Sequence, residues 1–170
     1  VARVAGRWAL GPGRGLRLGI EHHWMQRDAL RERLRVADGS RFLDHMWPEL
    51  SQRGAGAFAE LSTEPREDLS LRLGTRIDRV DARADAADDA ALQGMSVREA
   101  WVEFYGPQAS DDRRVDWTAA GNLLLQARPD PRLRLHLGAG LLSRSPGSTE
   151  SFFAFAPAPG GFRVGNPSLR

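Results

Sequence analysis

Residues 69–78 read Leu-Ser-Leu-Arg-Leu-Gly-Thr-Arg-Ile-Asp, and this stretch decides the fold class. Its odd positions are apolar or carry a methyl group, whereas its even positions are small, polar or charged. A period of two places alternate side chains on opposite faces of a β-strand, while an α-helix would spread them around its circumference. We call the two sides the apolar row, which holds Ile77 here, and the polar row, which holds Arg72 and Arg76.

Five further segments share this alternation. Residues 133–141 and 16–21 carry the clearest copies, and residues 4–10, 55–61 and 117–126 carry weaker ones. The six segments pair off across short turns rich in glycine, proline and acidic residues, which lie at residues 11–15, 65–68 and 128–131. The links between these hairpins are polar and longer than the ~12–15 residues normal for a loop in a compact domain. We predict loops at residues 28–51, 85–114 and 147–170.

Tight turns that alternate with long loops are typical of an up-and-down transmembrane β-barrel. The apolar rows would face lipid, and the polar rows would face a hydrated interior. Trp8, Trp24 and Trp117 all fall in apolar rows, where the aromatic residues of a membrane interface are expected. Bacterial barrels of this type have at least eight strands. We therefore expect an all-β, antiparallel barrel segment, an open curved sheet of about six strands with long extracellular loops, from a larger barrel.

Composition excludes several classes of protein. The 24 basic residues are all arginine, and against 22 acidic residues they leave a net charge of +2 that is scattered along the chain. This distribution lacks the basic stripe of a nucleic-acid binder. The longest apolar run, residues 152–156, is too short for a membrane-spanning helix, and the absence of cysteine excludes disulfides and thiolate sites. No phosphate loop, zinc motif or serine elbow is present, so we predict neither enzymatic activity nor a cofactor.

Two histidine–methionine stretches are candidates for binding a metal or its chelate. Imidazole and thioether ligands together suit copper and other late transition metals. In residues 22–25, alternation places His22 in the apolar row and His23 in the polar row, so the two rings are not expected to share one ion. His45 and Met46 lie in the first predicted loop, where they would meet a ligand from outside or pack beside Trp47.

The charged residues of the polar rows allow two interpretations. Opposite charges pair across neighbouring strands, or an arginine-rich wall binds an anionic cargo, because guanidinium recognises carboxylates in a bidentate manner. The candidate ligand-binding residues are therefore His23, His45, Met46, Arg72 and Arg76.

Within the second predicted loop, apolar residues at helical spacing predict a short amphipathic helix over residues 97–105. The acidic pairs at residues 88–89 and 111–112 are predicted to be solvated loop charges, with a calcium site as the alternative.

Several phrases resemble the barrel of TonB-dependent outer-membrane receptors. Residues 56–61, Gly-Ala-Phe-Ala-Glu-Leu, are similar to a recurrent glycine-x-phenylalanine-x-glutamate strand of that family, and residues 73–79 to the strand that follows it. Residues 137–153 are similar to its serine-arginine-proline-glutamate-phenylalanine stretch, except that Ser145 separates the arginine from the proline. The strongest likeness is Gly-Asn-Pro-Ser-Leu at residues 165–169. The resemblance covers essentially the whole chain.

The resemblance implies a partial receptor barrel over residues 1–170, without the plug domain and TonB box of the family. It further implies a bacterial outer-membrane protein for energy-coupled uptake of a scarce nutrient, coupled to TonB through the missing plug. An iron-siderophore or another metal chelate would be the cargo, and copper is also compatible. A passive porin and a soluble, lipocalin-like ligand carrier are the alternatives, and the carrier would turn its apolar rows inward.

Overall fold

The computed structural model describes residues 1–89, 91–92, 94–155 and 163–169. The strands, in chain order, are β1 (Ala2–Gly11), β2 (Arg14–Leu34), β3 (Arg41–Arg66), β4 (Leu69–Ala84), β5 (Ala91–Leu92), β6 (Met95–Ser96), β7 (Arg113–Asp130), β8 (Leu133–Leu142), β9 (Ala154–Phe155) and β10 (Arg163–Val164). The six long strands follow the order β1-β2-β3-β4-β7-β8, so each pairs with its neighbour in the chain. The predicted all-β, up-and-down sheet is confirmed, and the sheet is not closed.

Three short turns connect the hairpins at the positions that the sequence predicts. The β1–β2 turn consists of Pro12 and Gly13, and Gly13 adopts a φ of 62°, a left-handed conformation that glycine enters without a steric cost. In the β7–β8 turn, the side chain of Asp130 accepts a hydrogen bond of 2.8 Å from the backbone N–H of Arg132. The conformation of each short turn sets the register of the two strands that it connects.

The register brings apolar rows of neighbouring strands together. Val4 lies opposite Ile20 in the β1–β2 pair, and Leu125 lies opposite Leu137 in the β7–β8 pair. These side chains point away from any packed interior, since Leu137 is 69% exposed and Leu141 is 81% exposed. A soluble sheet would normally bury such a continuous apolar face.

The prediction of a long loop over residues 28–51 is wrong. β2 continues to Leu34 and β3 begins at Arg41, so only residues 35–40 connect them. The extension escaped sequence reasoning because it has no clear apolar row. Antiparallel backbone pairing does not require one, and charged pairs across the strands stabilise it instead, including Arg41 with Glu32 at 3.1 Å.

The other two predicted loops contain secondary structure within the described residues. Helix α1 (Val97–Tyr105) confirms the predicted amphipathic helix, and a short 3₁₀ turn follows at Pro107–Ala109. A capping box begins α1: Ser96 Oγ accepts a hydrogen bond from the backbone of Glu99, whose carboxylate accepts one from the backbone of Ser96. The third segment contains helix α2 (Ser148–Phe152) and the small β9–β10 pair. Neither described helix combines the length and the apolar character needed to cross a membrane.

The chain divides into two compact units. Unit 1 comprises Val1–His23, Gly54–Arg79 and Trp117–Arg144, and it consists of strands with exposed apolar rows. Unit 2 comprises Trp24–Arg53, Val80–Asp116 and Ser145–Arg170, and it contains both helices. Unit 2 has an apolar core in which Trp101 and Phe152, both fully buried, meet edge to face with ring centroids 5.7 Å apart. Leu50 and Val97 are also fully buried in this core.

Candidate functional site

The polar row of unit 1 contains a compact ion-pair network centred on Arg76. Its guanidinium donates two hydrogen bonds to Asp78, of 2.6 and 2.7 Å, and one of 3.2 Å to Glu21 on β2. Two carboxylates therefore neutralise this arginine and hold it in place. The sequence predicts Arg76 as a ligand-binding residue, but its guanidinium already donates hydrogen bonds to these two carboxylates. Arg72 lies on the same row of β4 with its side chain exposed, and it forms no ion pair with another described residue.

A second cluster of the polar row surrounds Phe58. The guanidinium carbons of Arg3 and Arg17 lie 4.6 and 5.5 Å from the centre of its ring. The ring occupies the space above Gly19, where a Cβ atom would come within 2.4 Å of it. Glycine at this position therefore leaves room for the aromatic ring against β2, and two guanidinium groups lie near that ring.

His23 belongs to the polar row, as alternation predicts, and it is half-buried. Its ring occupies the space above Gly54 on β3, because a Cβ on that glycine would lie 1.9 Å from Cε1 of the histidine. His22 is exposed on the other side of the strand. The structure thus confirms that the two imidazoles point apart, and it places the ring of His23 against Gly54 of the neighbouring strand.

His45 and Met46 do not lie in a loop, as the sequence had predicted, but within β3. The extended backbone directs their side chains to opposite faces, so the structure does not join them into one ligand set. His45 Nε2 is paired with the carboxylate of Asp28 at 2.5 Å. Across the part of the chain that the structure describes, no group of three histidine or acidic side chains is placed to hold a metal ion.

Asp44 is a buried carboxylate that sequence reasoning missed. It is fully buried in unit 2, it binds Arg31, and it pairs with Arg33 at 2.9 Å. Arg31 also lies over the ring of Phe155, with 4.0 Å from its guanidinium carbon to the ring centre. The signal was present in the sequence, because arginines at alternate positions 31, 33 and 35 indicate a one-sided cationic row on an extended strand.

Arginines also anchor the connecting segments of unit 2. Arg114 pairs with Asp116 at 2.6 Å and donates a hydrogen bond of the same length to Ser151 Oγ. Ser145, the residue that interrupts the family-like arginine–proline step, donates a hydrogen bond of 2.6 Å to Asp116. This residue therefore fastens its segment to the start of β7.

Two acidic residues that were predicted to be solvated loop charges, Asp88 and Asp112, are exposed and also pair with an arginine. Asp88 accepts two hydrogen bonds from Arg98, of 2.6 and 2.9 Å, and Asp112 accepts a third of 2.7 Å. The bonds from Arg98 lower the pKa of Asp88, and the same bonds raise the pKa of Arg98. Each acidic pair thus supplies one carboxylate to Arg98 on α1.

The β2–β3 turn has a carboxylate, Asp38, whose pKa is lowered chiefly by its hydrogen bonds with Ser40. Asp38 accepts hydrogen bonds from the Ser40 hydroxyl at 2.6 Å and from the Ser40 N–H at 3.0 Å, and these bonds lower its pKa from 3.8 to about 2. The turn is therefore stabilised at any pH above the unfolded pKa of ~3.9, and this stabilisation is lost as the pH falls through about 2.

We expect Ser40→Ala to raise the pKa of Asp38 toward 3.8, because the hydroxyl bond is the largest cause of the shift. The backbone N–H of residue 40 remains, so the return is incomplete. Titration of the Asp38 carboxyl carbon by NMR measures the change. Arg35→Gln is the control, since the Arg35 bond of 3.1 Å contributes less. A larger shift with Arg35→Gln than with Ser40→Ala would contradict this account.

No protein-family model matches the chain, and no curated protein matches its sequence. Solved structures do match. The copper transporter OprC superposes with a TM-score of 0.63 and 18% sequence identity. The alignment covers 87% of this chain and 21% of OprC, so the chain spans about a fifth of the length of that protein. The likeness establishes that this sheet has the fold of a segment of OprC.

Proposed function

We propose that the chain forms part of the wall of an outer-membrane transporter. One observation carries this proposal. A sheet of six sequentially ordered strands, similar to a segment of OprC, exposes a continuous apolar row and holds Arg76 of its polar row between Glu21 and Asp78. In a bilayer the apolar row contacts acyl chains, and the polar row faces a hydrated interior.

The backbone supports this interpretation independently of the side chains. Hydrocarbon contains no water to satisfy N–H and C=O groups, so a membrane-spanning sheet must pair them between strands. The shortest of the six long strands have 10 residues, and a tilted strand needs about 9–11 residues to cross the hydrocarbon core. Each long strand is therefore long enough to cross.

Energy-coupled uptake is the finer part of the proposal. The phrases at residues 56–61, 73–79 and 165–169 resemble TonB-dependent receptors, so we assign the driving force to TonB, acting through a plug domain. A metal chelate is the proposed cargo. The name of the similar copper transporter favours copper, and the family resemblance favours an iron-siderophore. Passive diffusion through a porin is the second candidate, because it requires the same wall.

A soluble carrier fits the structure less well. Such a barrel turns its apolar residues toward an enclosed ligand and its polar residues toward water. Here Leu137, Leu141 and Ile20 are exposed, whereas Arg76 lies in a network with two carboxylates. Retention in the aqueous fraction after cell lysis would nevertheless overturn the membrane assignment.

We expect deletion of the gene for this chain to lower accumulation of copper or of an iron-siderophore at limiting supply. Mass spectrometry of washed cells measures both metals. A protonophore should abolish the gene-dependent uptake, because TonB uses the proton-motive force. Gene-dependent uptake that persists with the protonophore would support the porin, and equal metal content in both strains would exclude these cargoes.

A further inference from the structure

We infer that the outward face of the β2–β3 hairpin in unit 2 is an interface between two copies of this chain. The face carries Leu30 and Leu43, which are 63% and 50% exposed, and Leu34 extends the apolar surface toward the hairpin tip. We call these three residues the leucine patch. The inference goes beyond the proposed function, and it rests on that function only for the direction in which two copies lie in one membrane.

The two faces of this hairpin have opposite characters. Arg31 and Arg33 on β2 and Asp44 on β3 alternate with the leucines along their strands, so they point to the other face, where Asp44 is fully buried in unit 2. The buried face therefore holds charges and the exposed face holds leucines, which reverses the usual pattern of a strand pair that has one solvated face. An exposed apolar patch of this kind marks a surface that another molecule covers.

Two ion pairs lie on the same face, on either side of the central leucines. Asp28 on β2 pairs with His45 on β3 at 2.5 Å, and Glu32 on β2 pairs with Arg41 on β3 at 3.1 Å. Ionised side chains that lose their water in hydrocarbon raise the free energy steeply. The leucine patch therefore suits a protein surface that carries its own charges better than it suits acyl chains.

The ion pairs also fix the register of the face. Leu30 lies two residues from each acidic residue of β2, and Leu43 lies two residues from the basic residue on each side of it on β3, so the two leucines are opposite each other. Both acidic residues belong to β2, and both basic residues belong to β3. The outward face is therefore acidic along one strand and basic along the other, with a leucine pair at its centre.

A second copy is complementary to this face when a two-fold axis parallel to the strands relates the two hairpins. The axis places β2 of one copy across from β3 of the other, at the same height along the strands. Each acidic residue then faces a basic residue of the second copy, and Leu30 faces Leu43 of the second copy. Such a contact is self-complementary, as a two-fold interface must be. Both hairpin tips point in the same direction, which two copies inserted in one membrane require.

Sedimentation equilibrium of the chain in a density-matched nonionic detergent tests this inference. We expect a reversible monomer–dimer equilibrium. Leu43→Asp should weaken association about tenfold or more, because it places a charge at the centre of the interface. Phe104→Asp is the matched control, since Phe104 is 48% exposed on α1 of the same unit, outside the hairpin. It should change association by less than about twofold, as expected outside an interface.

Reversal of one ion pair tests the two-fold register. The double variant Glu32→Arg/Arg41→Glu keeps an ion pair within each hairpin, so it should dimerise with itself as the unmodified chain does. It should form mixed dimers with the unmodified chain several-fold more weakly, because like charges then face each other across the interface. The chain has no lysine, so amine-reactive dyes label only its N-terminus. Energy transfer between labelled copies measures the mixing.

A chain that stays monomeric at every concentration would overturn the inference, and so would equal weakening by Phe104→Asp and Leu43→Asp. Free mixing of the double variant with the unmodified chain would overturn it as well. In a monomeric chain, protection of Leu43→Cys from a thiol reagent by added phospholipid would assign the patch to lipid instead. Because association needs no transport, a dimer of a chain that imports no metal would reject the proposed cargo and leave this interface standing.

Discussion

Leu137→Arg should prevent stable insertion of the protein into an outer-membrane-like bilayer. Leu137 is 69% exposed on the apolar row of β8, so the proposed orientation places it against acyl chains. An arginine facing lipid costs about 2–4 kcal/mol near the middle of the bilayer. Cell fractionation and urea unfolding in phospholipid vesicles measure this loss, which we expect to move the protein out of the membrane fraction.

His136→Arg is the control, because it places the same charge one residue earlier on the same strand. His136 lies on the polar row opposite Gln126, where a cation would remain hydrated. We expect insertion and the unfolding midpoint to stay close to those of the unmodified protein. If His136→Arg blocks insertion while Leu137→Arg is tolerated, the two rows have been assigned to the wrong sides of the wall.

Asp44→Asn should be the most damaging substitution in unit 2. The carboxylate of Asp44 is fully buried, and it binds Arg31 and Arg33, whose side chains are only 25% and 20% exposed. Its replacement by a neutral amide leaves two largely buried cations without their shared anion. Loss of one partner from a buried ion pair typically costs about 3–5 kcal/mol. Urea unfolding followed by tryptophan fluorescence measures the change, because Trp101 lies in the core of unit 2 and Trp47 packs against it.

Glu32→Gln is the control for this prediction, because Glu32 forms an exposed ion pair with Arg41 in the same hairpin. Exposed pairs of this kind contribute about 0–1 kcal/mol. A cost for Glu32→Gln that matches the cost for Asp44→Asn would mean that the hairpin responds only to net charge. The burial of Asp44 would then have no special role in the stability of unit 2.

The sequence was sufficient to assign most of the candidate residues to the correct face of the sheet. It was not sufficient to predict which side chains they contact. Alternation placed His23, Arg72 and Arg76 on the polar row, and the structure confirms the row for each of them. It could not show that Arg76 is neutralised, because the position of Glu21 beside it depends on how the separate hairpins align. His45 and Met46 were misplaced for a related reason, since a strand stabilised by charge pairs has no apolar signature.

The sequence by itself determined the six strands, the three tight turns, helix α1 and the two rows. All of these follow from local periods and from turn residues, because neighbouring side chains on one strand decide which face is apolar. Only the tertiary structure decided which charges cancel. Asp44, Arg98 and Ser145 have partners 11, 14 and 29 residues away in the sequence, and the ring of Phe58 contacts two arginines from other strands. Such pairings depend on strand register and on space left by glycines, and neither quantity is a property of any single segment.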